Sequence, residues 1–198
     1  MHIGGTDFDH KLNAAEVQPL LGLGHIGPSG REVPSRTFYD LSTWHLIQWL
    51  YTAKSLRDVE ALRNDFSDRN LHARLMRVLQ EQAGHRLADA VEQGKITASS
   101  TAATAVMDLG WLEAGLGAQI TPEGLEQHLQ WLLADVVKCA EDCVTTAGLR
   151  KEQITALYLT GGSSALQTLR NALAVVFPAV PQVAGDLFGG VASGLAYA

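Results

Sequence analysis

The sequence predicts an α/β unit joined to a mostly helical region that carries one small hairpin. Residues 149–198 have the pattern of strand, turn, helix, strand and helix, which is the order typical of α/β folds. Residues 10–148 are dominated by apolar residues at helical spacing, and residues 101–120, where glycines interrupt β-prone residues, predict a hairpin. We expect residues 1–9 to belong with the α/β unit, so that 10–148 is a helical insertion.

Apolar periodicity divides the helical region into successive helices. Residues 2–12 predict a turn or strand end that leads into a helix, whereas residues 21–37 are too rich in glycine and proline to be regular. Two short helices are predicted over 38–52 and 55–66. One long helix is predicted over 68–96, since an apolar residue recurs at every fourth position: Leu71, Leu75, Leu79, Ala83, Leu87 and Val91.

The last predicted helix of this region begins at a strong start signal. Thr121 is a capping residue, and proline and glutamate follow it in the first turn. We expect this helix to end at Gly148, with Cys143 on its apolar face. Two cysteines on a buried helical face favour packing over metal or redox chemistry, and Cys139 lies one turn before Cys143.

The predicted α/β unit begins with a buried strand over residues 154–160, which are rich in β-branched and aromatic side chains. A turn over 161–164 leads into a helix over 164–177. A short strand over 181–185 and a glycine-rich helix over 188–198 complete the unit.

Composition excludes several classes of protein. The chain has 198 residues with 15 Lys and Arg against 21 Asp and Glu, and no basic stripe indicates a nucleic-acid binder. No apolar run approaches the roughly 18 residues of a membrane span, and the opening residues do not resemble a signal peptide. With only two cysteines, we expect reduced thiols in a cytoplasmic protein. The scattered histidines indicate no metal site.

Two glycine-rich turns are candidate ligand sites. Gly22, Gly24 and Gly27 fit GxGxxG, but prolines follow and no helix can open there, so we interpret the pattern as a chance match. Gly161 and Gly162 are better placed, because they join a strand to a helix, where backbone N–H groups can meet a ligand. The same pattern also fits a capped turn that binds nothing.

A third candidate lies on the long predicted helix. Glu92, Lys95 and Ser99 are spaced i, i+3 and i+7, which places them on one helical face. A carboxylate, an ammonium and a hydroxyl in a row can hydrogen-bond a ribose and the edge of an adenine. A solvated face with one weak ion pair fits the spacing equally well.

Four segments in order resemble the Hsp70-type branch of the actin-like ATPases. HIGGTDFDHKL at residues 2–12 resembles that family's HxGGxDFD segment, and RLADAVEQGKITASS at 86–100 resembles its RLxxAxExxKxxLSS helix. YLTGGSSALQTLR at 158–170 resembles its adenosine motif, and GDLFGGVASGLAYA at 185–198 its closing acidic residue and small-residue helix. The chain looks most similar to the shorter bacterial Hsp70-like chaperones, which lack the usual substrate-binding region.

The resemblance implies lobe II of a nucleotide-binding domain, a ribonuclease H-like α/β remnant with a helical subdomain. The implied ligand is ATP or ADP. Its contacts, in chain order, would be Gly5 and Thr6 at the phosphates or ribose, Glu92, Lys95 and Ser99 at the ribose and adenine, Gly161, Gly162 and Ser163 as the adenosine turn, and Asp186 closing the pocket. The helix face carrying Lys95 is then expected to point toward the turn at Gly161.

The sequence departs from the family pattern at two positions. Where the family has an arginine that stacks on adenine, this chain has Ala165. Where the family has a second basic residue after the lysine, this chain has Ile96. Both changes remove a cation that would contact the adenine ring.

The implied function is the adenosine-binding half of the ATPase cleft of an Hsp70-like (heat shock) chaperone. Lobe I and the GGGTxD phosphate hairpin do not precede Met1, so we expect a fragment that does not hydrolyse ATP alone and that would meet magnesium only with lobe I. Self-association through an exposed sheet is a further expectation.

Two other functions are alternatives to nucleotide binding in an Hsp70-like ATPase cleft. One is a helical protein-interaction module with a degenerate nucleotide site, which Ala165 and Ile96 favour. The other is a sugar or acetate kinase, which the DFD segment disfavours.

Overall fold

The computed structural model describes residues 3–185, and the chain divides into two compact units. The larger unit is Thr6–His128, and the smaller unit comprises Met1–Gly5 and Leu129–Ala198. The described residues form helices and two two-stranded sheets. Within them, no helix has both the length and the apolar character needed to cross a membrane.

Short helices make up most of the larger unit. It includes α1 (Gly5–Leu12) from Thr6 onward, α2 (Arg36–Ser42), α3 (Ala53–Ala61), α4 (Arg69–Gln80) and α5 (Gly84–Thr101). A π-helical turn and three 3-10 helices link them: Asn13–Val17, Gln18–Leu21, Ile47–Tyr51 and Leu62–Asp65. The predicted irregular segment is confirmed over residues 22–35, where the only pairing described is a bridge between Ile26 and Glu32.

The single long helix predicted over residues 68–96 is wrong, because α4 ends at Gln80 and α5 begins at Gly84. Gln82 takes a left-handed backbone conformation, with φ of 53°. The Gly84 N–H donates to the Tyr51 hydroxyl at 2.9 Å, and a Cβ at Gly84 would lie 2.6 Å from Ile47 Cγ2. The start of α5 therefore packs tightly against the Ile47–Tyr51 turn, and the helical run is broken between α4 and α5.

The predicted hairpin is confirmed. Strands β1 (Ala105–Asp108) and β2 (Gly117–Ile120) pair antiparallel, with Ala105 opposite Ile120. The hairpin packs closely on α5 at Gly94, where a Cβ would lie 3.1 Å from both Met107 Cγ and Ile120 Cδ1. A glycine in mid-helix thus lets the sheet approach the helix that carries Glu92, Lys95 and Ser99.

A bidentate ion pair connects the loop between β1 and β2 to α4. Arg74 donates from Nε to Glu113 Oε2 at 2.5 Å and from Nη2 to Oε1 at 2.8 Å. Its Nη1 donates to the Leu20 carbonyl at 3.1 Å. The guanidinium lowers the pKa of Glu113, chiefly through the side-chain hydrogen bond. Such paired geometry is the favourable form of an arginine–carboxylate contact.

Helix α6 (Pro122–Thr146) begins where the sequence predicts, since Thr121 Oγ1 accepts from the Gly124 N–H at 2.9 Å. Its buried apolar residues recur at every fourth position: Leu125, Leu129, Leu133 and Val137. The prediction that Cys143 lies on the apolar face is wrong, because Cys143 is exposed and Cys139 only half-buried. The buried residues recur at four-residue intervals from Leu129 to Val137, and neither cysteine falls on that spacing.

The smaller unit contains the predicted strand–helix–strand unit, built from β3 (Leu157–Leu159), α7 (Gln167–Val176) and β4 (Gln182–Ala184). The strands pair parallel, with Leu157 opposite Gln182. The expectation of a buried first strand is wrong for the described residues, since Tyr158 is 78% exposed. One crossover helix can cover only one face of a two-stranded parallel sheet.

Candidate functional site

Helix α5 carries the first group of predicted site residues. Glu92, Lys95 and Ser99 all lie within it, at spacings that place them on one face. Their environments differ: Glu92 is exposed, Ser99 is half-buried, and Lys95 is only 7% exposed. A lysine so deeply buried needs a partner for its charge.

That partner is Asp9, which no site prediction named. Asp9 belongs to α1 and faces Lys95 across the junction of α1 and α5, with Nζ and Oδ1 2.7 Å apart. The side chains of Lys95 and Asp9 are 8% and 21% exposed, so the pair is largely withdrawn from water. Phe8 and Leu12 anchor α1 by burial, and this fixes where the Asp9 carboxylate sits.

Burial dominates the electrostatics of Asp9. Desolvation raises the pKa of its carboxyl above the usual value, the hydrogen bond and the charge of Lys95 lower it in part, and the negative charge of Glu92 raises it again. The net direction is upward. The pair is therefore one in which removing a carboxylate from water outweighs the attraction of its ammonium partner.

Gly5 and Thr6, the predicted phosphate or ribose contacts, occupy the first turn of α1. Thr6 is exposed and Gly5 is half-buried. These two residues therefore lie one helical turn before Asp9 on the same helix.

The second group lies in the turn after β3. Gly161 has φ of 84° and ψ of 153°, a conformation open essentially to glycine alone. Residues Gly162–Ala165 follow as one turn of 3-10 helix. The Ser164 hydroxyl donates to the Gly161 carbonyl at 2.7 Å, and Arg170 Nε donates to the Ser164 carbonyl at 2.8 Å. Among residues 3–185, space beside the Gly161 Cα is open, because a Cβ there would meet none of their atoms within 4 Å.

The other predicted site residue of the turn, Ser163, and the two positions that depart from the family pattern, Ala165 and Ile96, differ in exposure. Ser163 is half-buried within the turn, while Ala165 and Ile96, the two departures from the family pattern, are exposed, Ile96 at 46%. Both can meet solvent or a ligand, and neither offers a polar group. Asp186 lies outside the described residues.

Residues 60–196 match the sequence profile of the Hsp70 protein family. The chain belongs to the Hsp70 family. The match covers more than half of the chain, including α5 and the turn after β3, whereas α1 with Asp9 precedes it. A mostly helical structure with two small sheets is compatible with a fragment of an Hsp70 ATPase domain. Members of the Hsp70 family are chaperone ATPases that bind adenine nucleotides with magnesium, and this is the function that membership indicates.

The α5 face of this Hsp70 chain fits the neutral part of such a nucleotide. The Lys95 ammonium carries three N–H donors and forms an ion pair with Asp9, while Glu92 is an exposed acceptor for hydroxyl groups. Magnesium is a different case, because no cluster of three His, Cys, Asp or Glu side chains occurs among residues 3–185. We therefore assign no described residue to the metal.

Proposed function

We propose that this chain binds the adenosine moiety of ATP or ADP, as lobe II of an Hsp70-type ATPase domain. One observation carries the proposal: α5 holds a buried, oriented ammonium, that of Lys95, beside Glu92 and Ser99. Family membership supplies the ligand class. The hydrogen-bonding groups of the side chains indicate which part of the ligand they would contact.

The three α5 side chains suit a ribose and an adenine edge. The Glu92 carboxylate can accept hydrogen bonds from ribose hydroxyls, and the Lys95 ammonium can donate to a hydroxyl oxygen or a ring nitrogen. The Ser99 hydroxyl can donate or accept. Because Lys95 is held by Asp9, ligand binding would not have to order a flexible side chain, which saves conformational entropy.

The turn after β3 is proposed to contribute backbone contacts. Gly161 and Gly162 carry no side chain that could block a ligand, and Ser163 follows them. The hydrogen bonds of Ser164 and Arg170 would keep the turn in shape without a ligand. We extend the proposal, from the family pattern, to Gly5, Thr6 and Asp186.

The wider role follows from the family. We propose that the parent protein is a cytoplasmic Hsp70-like chaperone in which lobe I and this lobe close around ATP, and that lobe I is this chain's main protein partner. Hydrolysis needs a positioned water, a metal and donors to the transferring phosphoryl group. We assign none of these to the residues described here, so the 198-residue chain alone should not turn over ATP.

Calorimetric titration with ADP tests the proposal. We expect the unmodified chain to bind ADP in the high micromolar range or more weakly, because Ala165 supplies no stacking cation. Ala165→Arg should tighten binding by roughly a few- to thirtyfold, the value of a cation over an aromatic ring. Glu92→Gln should weaken it by about tenfold through loss of a charged hydrogen bond.

A matched control comes from the same helix. Asp89 is exposed on α5, so Asp89→Asn removes the same charge as Glu92→Gln one turn away. ADP affinity in Asp89→Asn should equal that of the unmodified chain. Equal loss in both variants, or submicromolar binding without the Ala165→Arg change, would contradict the assignment of the site.

The second candidate function is protein interaction without nucleotide. Ile96 favours it, since this apolar side chain is 46% exposed beside Lys95, at a position where a basic side chain would strengthen nucleotide binding. This candidate predicts no heat of ADP binding in the unmodified chain or in Ala165→Arg. The same titration therefore separates the two functions.

A further inference from the structure

The α5 site carries more negative than positive charge. Lys95 Nζ lies 2.7 Å from Asp9 Oδ1, and the pKa of Asp9 is raised chiefly by burial, with a smaller contribution from the negative charge of Glu92. These three groups sum to one net negative charge when ionised. A buried ammonium would ordinarily attract a phosphate, but this one is neutralised by a carboxylate that shares its buried environment.

Burial opposes the ionised form of Asp9. The pKa of Asp9 lies above its usual value because burial outweighs the attraction of Lys95, so ionising this carboxyl costs the folded state free energy. A protonated or amide side chain in its place would avoid that cost. Even so, Lys95 Nζ and Asp9 Oδ1 lie 2.7 Å apart, which places this carboxyl directly against the ammonium.

We propose that Asp9 is a positioning and specificity residue of the adenosine site: it orients the Lys95 ammonium and cancels its charge, so that the site accepts an unmodified ribose and rejects a ribose phosphorylated at the 2′ or 3′ hydroxyl. The inference rests on the proposed function, because it assumes that Lys95 and Glu92 face the ribose. Lys95 then donates N–H bonds to neutral oxygen atoms, while Glu92 accepts from free hydroxyls. A phosphate at those positions would meet the Asp9 and Glu92 carboxylates, while the charge of Lys95 is already offset by Asp9.

Two nucleotides of identical composition test this selectivity. Adenosine 5′-monophosphate and adenosine 3′-monophosphate carry the same charge and differ only in where the phosphate is attached. We expect calorimetry on the unmodified chain to give at least tenfold tighter binding of the 5′ isomer. Asp9→Asn should reduce this preference to about threefold or less, because Lys95 becomes an unpaired cation.

The ratio of the two affinities separates positioning from a purely structural role. A variant that merely folds less well loses active protein, which lowers the apparent stoichiometry for both isomers alike and leaves their ratio unchanged. Asp89→Asn, which removes an exposed carboxylate of the same helix, should keep the full preference. Glu92→Gln should reduce the preference, since it removes the second carboxylate.

The outcomes are distinct. An unmodified chain that binds both isomers equally, or an Asp9→Asn variant that keeps the full preference, overturns the role of Asp9 and leaves adenosine binding standing. An unmodified chain that binds neither isomer nor adenosine at millimolar concentration overturns the proposed function, and the inference with it. A preference that Asp9→Asn abolishes and Asp89→Asn preserves supports both.

Discussion

The face of α5 and the turn after β3 position their polar groups by opposite means. On α5, Lys95 is held by burial and by the charge of Asp9, a residue far away in the sequence. In the turn, Gly161 has a backbone conformation with φ of 84°, and its carbonyl accepts from the Ser164 hydroxyl. The Ser164 carbonyl accepts in turn from Arg170 Nε, so these contacts are all nearby in sequence. One site depends on charge and tertiary packing, and the other on local backbone geometry.

This difference determines what a substitution should do. On α5, the effect of a variant should depend on pH, because it changes which buried charges remain unpaired. In the turn, the effect should be nearly independent of pH, because the only charged group that contacts it among the described residues is Arg170, and an arginine stays protonated at both pH values. Measurements of unfolding at two pH values can therefore distinguish the two.

Lys95→Met should have the largest effect. It leaves the Asp9 carboxylate buried without its cation, and we expect the free energy of unfolding to fall by about 3 kcal/mol at pH 7, the lower end for a broken buried pair because Asp9 keeps some contact with water. Without Lys95 the pKa of Asp9 rises further, so the loss should shrink as pH falls from 7 toward 4 and Asp9 takes up a proton. Urea denaturation at both pH values measures this.

The control for Lys95→Met is the double variant Asp9→Asn/Lys95→Met. It removes both charges, so it should recover most of the stability that Lys95→Met loses at pH 7. A double variant as unstable as Lys95→Met, or a loss that is equal at pH 4 and pH 7, would show that the lysine stabilises the fold through packing.

Gly161→Ala should have the next largest effect. Space for the methyl group is open, so the cost is that of forcing a side chain into a conformation reserved for glycine, about 2 kcal/mol. Urea denaturation should give the same loss at pH 5 and pH 7. Gly162→Ala, in the 3-10 turn that follows, is the matched control and should cost far less; equal losses would mean that φ at Gly161 is not the source.

Asp9→Asn should have the smallest effect on stability. Asp9→Asn leaves the Lys95 ammonium without a counter-charge, but the amide oxygen still accepts from it and no carboxylate has to be buried. These opposing effects largely offset each other, so we expect a loss of about 1 kcal/mol. Because the folded state raises the pKa of Asp9, the unmodified chain should lose stability relative to this variant as pH rises through the acidic range from about 4. Paired urea midpoints at pH 4.5 and 7 check the sign, and a difference that moves the opposite way would contradict the burial of this carboxyl.

Local signals in the sequence predicted much of the fold. The start of α6 follows from a threonine and a proline, the β1–β2 hairpin from glycines around β-prone residues, and the β3–α7–β4 unit from the order of its segments. Each signal lies within a few residues of the feature it predicts. The tight packing at Gly84 depends on Ile47 and Tyr51 and was missed, because apolar spacing continues through the break between α4 and α5.

The candidate site shows the same limit. Spacing alone predicted that Glu92, Lys95 and Ser99 share a face of one helix, which α5 confirms. It could not predict the partner of Lys95, because Asp9 is brought to it by the packing of α1. Within the DFD segment, the apolar Phe8 flanked by two acids is the one local signal that points to an anchored carboxylate.

The most direct test of adenosine binding is a two-dimensional ¹H–¹⁵N spectrum of the chain titrated with adenosine. The ligand carries no phosphate, so metal and lobe I are not needed for the contacts that we assign. We expect saturable shifts of the backbone amides of Lys95, Ser99 and Gly161, with smaller changes elsewhere. An absence of shifts at millimolar adenosine, or shifts that avoid these three residues, would contradict it.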